Sequence, residues 1–238
     1  MPRLVFDIET VGDDFDSFDE TTQGYLTRWI KRESKSDKEY KKALESLKGE
    51  TGLSPLTGQI VAIGILDCDK DKGVVYYQAP GGDTKDTEED GIKYKPMSEK
   101  DMLESWWSGA RNYQEFVSYN GRGFDVPYLM IRSAIHGIRP TKDLMRGRYM
   151  YQNAPDARHV DLYDQLTFYG ASRSRGSLHL WCRAFGIESP KTQGVSGGDV
   201  GRLFKEGNFL DIAKYNVGDL WATKKLYEYW NSYLRFGG

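Results

Sequence analysis

The segment Gln59-Ile60-Val61-Ala62-Ile63-Gly64-Ile65-Leu66 constrains the fold most. Its apolar run, Ile60 to Leu66, is far too short to cross a bilayer, which takes about 20 residues of helix. It suits a strand covered on both faces, because such strands read as unbroken apolar runs and not as alternating ones. A strand of that kind needs a layer of structure on each side. The expectation is an α/β domain around a central sheet.

The rest of the chain supplies those layers. Leu4 to Ile8 reads as a short buried strand that ends at acids, and Gly12 to Glu20 as an acidic loop. Thr21 to Leu47 carries helical spacing and splits near Ser34 to Ser36 into two helices. Gly73 to Ala79 is expected to pair antiparallel with the central strand across an Asp-Lys-Asp-Lys-Gly turn, and the acidic, Gly-rich Pro80 to Pro96 to be a mobile loop. Ser98 with Asp101 marks a helix start, and that helix should run to about Asn112. Glu115 to Tyr119 is a strand, Phe124 to His136 a helix, and Arg139 to Arg158 irregular and basic. Helices are expected at Val160 to Tyr169, Ser177 to Phe185, Asp199 to Glu206 and Phe209 to Leu234. Neither a repeat nor a linker divides the 238 residues, so a single domain is expected.

Charge and cysteine content narrow the function. The formal net charge is −2, so any attraction to phosphate must come from local basic patches or bound cations, which counts against a non-specific nucleic-acid coat. The two cysteines, Cys68 and Cys182, are far apart and have no histidine cluster. Zinc spacing is absent, and a reducing, cytoplasmic setting is expected. The start, Met1-Pro2-Arg3-Leu4-Val5-Phe6-Asp7, meets an acid too soon for a signal peptide, and no membrane association is expected.

Three segments carry the chemistry. In Asp7-Ile8-Glu9 the acids stand two apart at a strand end, so both can face one side. Crowded carboxylates repel unless protons or a cation neutralise them, and such oxygen pairs hold Mg²⁺; a solvated strand end would look the same. In Tyr119-Asn120-Gly121-Arg122-Gly123-Phe124-Asp125-Val126-Pro127-Tyr128-Leu129 a strand enters a sharp turn and a helix opens on an acid, either as a site or as a simple cap. In Tyr215-Asn216-Val217-Gly218-Asp219, Tyr215 and Asp219 share a helix face with Ile212, Ala222 and Leu226. An acid on an apolar stripe needs a partner, either a buried arginine or a metal.

Together these segments resemble the DEDD superfamily of 3′→5′ exonucleases, in the form used by proofreading domains of family B DNA polymerases and their stand-alone bacterial relatives. Leu4 to Thr10 is similar to the first exonuclease motif, Asn120 to Leu129 to the second, and Tyr215-x-x-x-Asp219 to the third in its tyrosine variant. The likeness extends to His159 through Leu162, Ser177 to Ile187, Lys191 and Gly197 to Val200. Residues of about 12 to 56 look like a helical insertion after the first motif.

The resemblance implies a ribonuclease-H-like fold, with a mixed sheet of about five strands flanked by helices. It implies hydrolysis of the 3′ end of single-stranded DNA by two divalent ions, Mg²⁺ or Mn²⁺, releasing mononucleotides. Asp7, Glu9, Asp125 and Asp219 are the implied metal ligands, and Tyr215 the residue that orients the attacking water. Thr10, Asn120, Phe124, Lys191, Arg146 and Arg148 are candidate substrate contacts. The arginines come from a basic stretch interleaved with Tyr149 and Tyr151, which suits phosphates and bases or merely a solvated face. His159 and Asp161 read as structural, and Trp106 and Trp107 as core and rim. RNA is the alternative substrate, a non-cutting nucleic-acid or polymerase-binding module is the reading from another class, and any replication or repair partner stays unnamed.

Overall fold

The computed structural model describes residues 1–82, 85–173, 176–188 and 197–236. The chain divides into two compact units, Met1–Glu9 with Ile60–Gly238, and Thr10–Gln59.

The larger unit is built on a mixed sheet that, among the described residues, has seven strands in the order β4-β5-β3-β2-β1-β6-β7. At its centre lie β1 (Arg3–Gly12) and β2 (Gly58–Asp67), the latter buried at nearly every position. β3 (Lys72–Tyr77) pairs antiparallel with β2, as the turn between them demands. β6 (Glu115–Ser118) lies parallel to β1, with Arg3, Leu4 and Val5 opposite Glu115, Phe116 and Val117. β7 (Arg158–Asp161) continues the parallel half beyond β6. The parallel pairs β1–β6 and β6–β7 need crossovers, whose helices are α3 (Glu99–Ala110) and α4 (Asp125–Ile135). α5 (Leu162–Leu166), α6 (Leu178–Ala184), α7 (Val200–Lys205) and the long α8 (Phe209–Tyr233) complete this unit.

One core packs Leu4, Phe6 and Ile8 of β1 with Ile60, Ile63 and Ile65 of β2, the α3 tryptophans and Val126, Tyr128 and Leu129 of α4. Trp106 and Trp107 are both core residues, at 0% and 2% exposure, so neither forms a rim. Trp107 is held by its Nε1, which donates to Ser133 Oγ at 2.7 Å. At the start of α3, Ser98 caps the Asp101 amide, and buried Glu99 accepts from Ile60 N at 2.8 Å and Arg132 Nη2 at 2.6 Å. The charge is thereby paired inside the core, as a buried carboxylate requires.

Three expectations need correction. Among the described residues the sheet has seven strands, not about five. Two of them lie in the expected mobile loop: β4 (Thr87–Glu89) and β5 (Ile92–Pro96) form an antiparallel hairpin, and β5 pairs parallel with β3. Asp90 and Gly91, at φ 50° and 78°, make the tight turn, while Ile92 and Tyr94 bury one face of β5. Finally, Val160 and Asp161 are the end of β7 and not the start of a helix, because the β6 edge takes them up before Asp161 caps α5.

The smaller unit contains α1 (Glu20–Glu33) and α2 (Asp37–Glu50), capped by Asp19 and Ser36. The break at Ser34–Ser36 agrees with the sequence reading. Gly12 is packed so tightly that a Cβ there would lie 1.9 Å from Thr51 Oγ1. Among the described residues no helix is long and apolar enough to cross a membrane.

Candidate active site

The two halves of the site come from opposite ends of the chain. β1 presents Asp7 and Glu9 two residues apart on the same side of the strand. α8 brings Asp219 to them from 210 residues later. One ligand oxygen each from Asp7, Glu9 and Asp219 lies within 4.8 Å of the others, the span of one cation's coordination shell. Glu9 is buried, and Asp7 and Asp219 are half-buried.

Asp125 opens α4 and is buried. Its Oδ1 accepts the amide of Ile8, at 3.1 Å, from between the two β1 acids. It stands outside the three-oxygen cluster yet raises the pKa of Asp7 through its charge. The acids disfavour one another's ionisation. Burial first, and then the neighbouring carboxylates, hold Asp7 and Glu9 well above the usual carboxylate range. Burial likewise pushes Asp125 up to about 7, against its own amide and that of Ile8.

Tyr215 lies one turn before Asp219, on the same face of α8. Burial, and then the charges of Asp219, Glu9 and Asp7, lift its pKa far above the ordinary phenol value. It therefore keeps its proton and is not a base at neutral pH. Lys214, before it, points away and pairs with Glu89 at 2.7 Å.

The turn between β6 and α4 is held from beneath. Asp161 accepts from the amides of Asn120 and Arg122 at 2.9 Å each and from Tyr163 N at 2.9 Å, which confirms it as structural. Asn120 takes a left-handed conformation, φ 60°, and is exposed. A Cβ at Gly121 would lie 2.2 Å from Ser118 Oγ, so only glycine fits there. His159 is structural too: Nε2 shares a 2.8 Å bond with Ser118 Oγ, Nδ1 meets Leu144 O at 3.1 Å, and burial lowers its pKa to about 4.

The candidate contacts fall in different places. Phe124 caps α4 half-buried, its ring 5.4 Å from Tyr128. Thr10 follows Glu9 on β1, and its hydroxyl donates to Gly52 O at 2.8 Å within the smaller unit. Arg146 is exposed, and Arg148 is engaged by Asp164 at 2.7 Å. Lys191 lies outside the described residues.

One residue at the cluster escaped the sequence reading. Asn216 is fully buried, and its Nδ2 donates to Asp7 Oδ2 at 2.7 Å and to Glu9 Oε1 at 3.5 Å. The available signal was its place on the stripe Ile212-Asn216-Leu220, the single polar member of three buried residues four apart.

The same architecture occurs in a solved structure of the family B DNA polymerase from the hyperthermophilic archaeon Pyrobaculum calidifontis, with TM-score 0.56 and 16% identity. The match covers 97% of this chain and 24% of the polymerase chain, so this chain spans about a quarter of that protein. At that identity the likeness establishes the fold, which is ribonuclease-H-like. No curated protein matches at significant sequence similarity. A family described as "Predicted 3'-5' exonuclease related to the exonuclease domain of PolB" matches residues 55–236, most of the chain. The chain belongs to that family of predicted 3′→5′ exonucleases.

Proposed function

We propose that this chain is a divalent-metal-dependent 3′→5′ exonuclease that removes mononucleotides from single-stranded DNA. The observation that carries the reading is the convergence of Asp7, Glu9 and Asp219 within 4.8 Å, all partly or fully buried. So much like charge in so little space is costly without a counter-ion, and hard carboxylate oxygens suit Mg²⁺ or Mn²⁺. When bound, the ions would supply Lewis acidity and lower the pKa of water. Asp7, Glu9 and Asp219 would hold one ion, and Asp7 with Asp125 the second. Tyr215 would orient the attacking water. Asn120 and Phe124, beside Asp125, would meet the terminal nucleotide, and Thr10, Arg146, Arg148 and Lys191 would lie along the strand's path. Residues 12–56 would be an insertion in a single exonuclease domain acting in the reducing cytoplasm, where Cys68 and Cys182 stay free.

The test uses 5′-labelled single-stranded DNA and RNA of one sequence, with Mg²⁺, Mn²⁺ or EDTA. A descending DNA ladder that EDTA abolishes is expected, with RNA cut more slowly. Asp7→Ala and Asp219→Ala should each lose roughly 100- to 1000-fold or more, the several kcal/mol that metal-ion catalysis supplies. Wild-type cleavage by Asp7→Ala would refute the assignment, and faster digestion of RNA would reverse the substrate preference.

A further inference from the structure

Asn216 occupies a place that packing alone would give to an apolar side chain. Ile212 and Leu220, one turn either side, are buried to the same degree. Its Nδ2 spans two acids, while its Oδ1 is buried with no hydrogen-bond partner among the described residues. An orphaned buried acceptor is costly, so something must offset it. Once the acids are ionised, as holding a cation requires, the amide cannot turn over, because Oδ1 would then face two carboxylate oxygens, acceptor against acceptor.

The space that accepts Oδ1 is made by Gly64 of β2. A Cβ there would fall 1.8 Å from Oδ1, 2.8 Å from Leu220 Cδ1 and 3.0 Å from Asn216 Cγ. Leucine Cδ1 is the end of a flexible side chain and could swing aside. The amide is pinned between the strand and two carboxylates and could move only by giving up its bonds to them. Gly64 thus lets the β2 backbone approach α8 closely enough to lock the amide.

We infer that Asn216 is a positioning residue, seated by Gly64, that holds the Asp7 and Glu9 carboxylates in one orientation so that their remaining lone pairs converge on a divalent cation. The inference rests on the metal-binding reading above. A carboxylate oxygen has two lone pairs, so a bond from Nδ2 leaves Asp7 Oδ2 and Glu9 Oε1 each able to bind a metal. Donors that orient ligands in this way tune affinity, and their loss typically weakens metal binding about 10- to 100-fold.

The test measures Mn²⁺ affinity directly, by electron paramagnetic resonance of free Mn²⁺, for wild type, Asn216→Ala, Gly64→Ala and the double variant. Circular dichroism and melting in EDTA establish that each is folded. Asn216→Ala is expected to bind Mn²⁺ about 10- to 100-fold more weakly. Gly64→Ala should lose a comparable amount, because it displaces the amide without touching the carboxylates. The double variant should be no weaker than Asn216→Ala alone, since both changes break one device. Oligonucleotide affinity in EDTA should not change, and excess Mn²⁺ should restore much of the lost turnover. An Asn216→Ala affinity within twofold of wild type overturns the inference. So do fully additive losses in the double variant, which would make Gly64 a general packing residue. If Asn216→Ala does not fold, Gly64→Ala decides by itself, and wild-type affinity there overturns the inference. Wild-type protein that binds no Mn²⁺ removes the metal reading and this inference with it, an outcome distinct from a variant that binds like wild type.

Discussion

Tyr215 shows how a side chain's environment decides its role. A phenol near pKa 10 is a poor base at neutral pH, and here burial and three carboxylates push it higher. The hydroxyl therefore keeps its proton and can only donate or accept hydrogen bonds. In the proposed reaction it would hold water in line, so Tyr215→Phe should lower single-turnover cleavage roughly 10- to 1000-fold, while affinity for single-stranded DNA stays nearly constant. Equal rates at saturating Mg²⁺ would reduce Tyr215 to packing. The convergence of Asp7, Glu9 and Asp219 was legible because each falls in a motif whose spacing fixes a strand or helix face. Asn216 was not, because an amide has no charge to flag it and its partners lie more than 200 positions away. Gly64 was hidden for a related reason: it lies inside an apolar strand, and only the close approach of α8 gives it a task.

At the scale of elements, a carboxylate fastens α8 to the sheet. Glu115, which opens β6, is buried and accepts from Tyr227 Oη at 2.5 Å and from Arg235 Nη2 at 2.9 Å, while Arg158 stands off at 3.6 Å. Burial opposes its charge, but Arg235 and Tyr227 outweigh that and hold its pKa below the usual range. Removing one partner of a buried pair exposes the desolvation cost of the other. Arg235→Ala should therefore cost about 2–3 kcal/mol, less than a full orphan because Tyr227 and Arg158 remain. Arg158→Ala, at a half-exposed and more distant arginine, should cost under about 1 kcal/mol. Urea unfolding of both variants checks the order, and a reversal would mean that Arg158 is the true counter-ion. Most elements were readable from caps and periodicity, including the break between α1 and α2. The β4–β5 hairpin was missed although Asp90-Gly91 is a strong hairpin signal. Acidic, glycine-rich surroundings masked the alternation of Ile92 and Tyr94 with Lys93 and Lys95. The β7 error has another cause: four residues at a sheet edge are too few to show a period, and only pairing with β6 makes them a strand.

For the whole molecule, the site is a local strain on stability that a cation should relieve. Asp7, Glu9 and Asp125 have folded-state pKa values above their unfolded ones, with Asp125 at about 7. The folded state then binds more protons than the unfolded state once pH exceeds about 4, so this contribution is present at low pH and is lost as pH rises through 7. His159, at about 4 when folded, acts in the opposite sense, because its unfolded form takes up a proton below about 6.5. The histidine contribution fades above pH 6.5 and is nearly constant by about pH 7.5, and over that range the three acids outweigh it. In EDTA the melting temperature should fall between pH 6.5 and 8. Mn²⁺ at about 100 times its dissociation constant should add about 2.7 kcal/mol, roughly 5–10 °C for a chain of this size. That increment should grow with pH, because the cation binds the ionised carboxylates and must displace their protons. Asp7→Asn removes one of the crowded charges, so it should melt higher than wild type in EDTA at pH 8 and gain little from Mn²⁺. Scanning calorimetry of both proteins with and without Mn²⁺ decides the matter. Identical wild-type melting with and without the cation at pH 8 would mean that the carboxylates are crowded for some reason other than holding a metal.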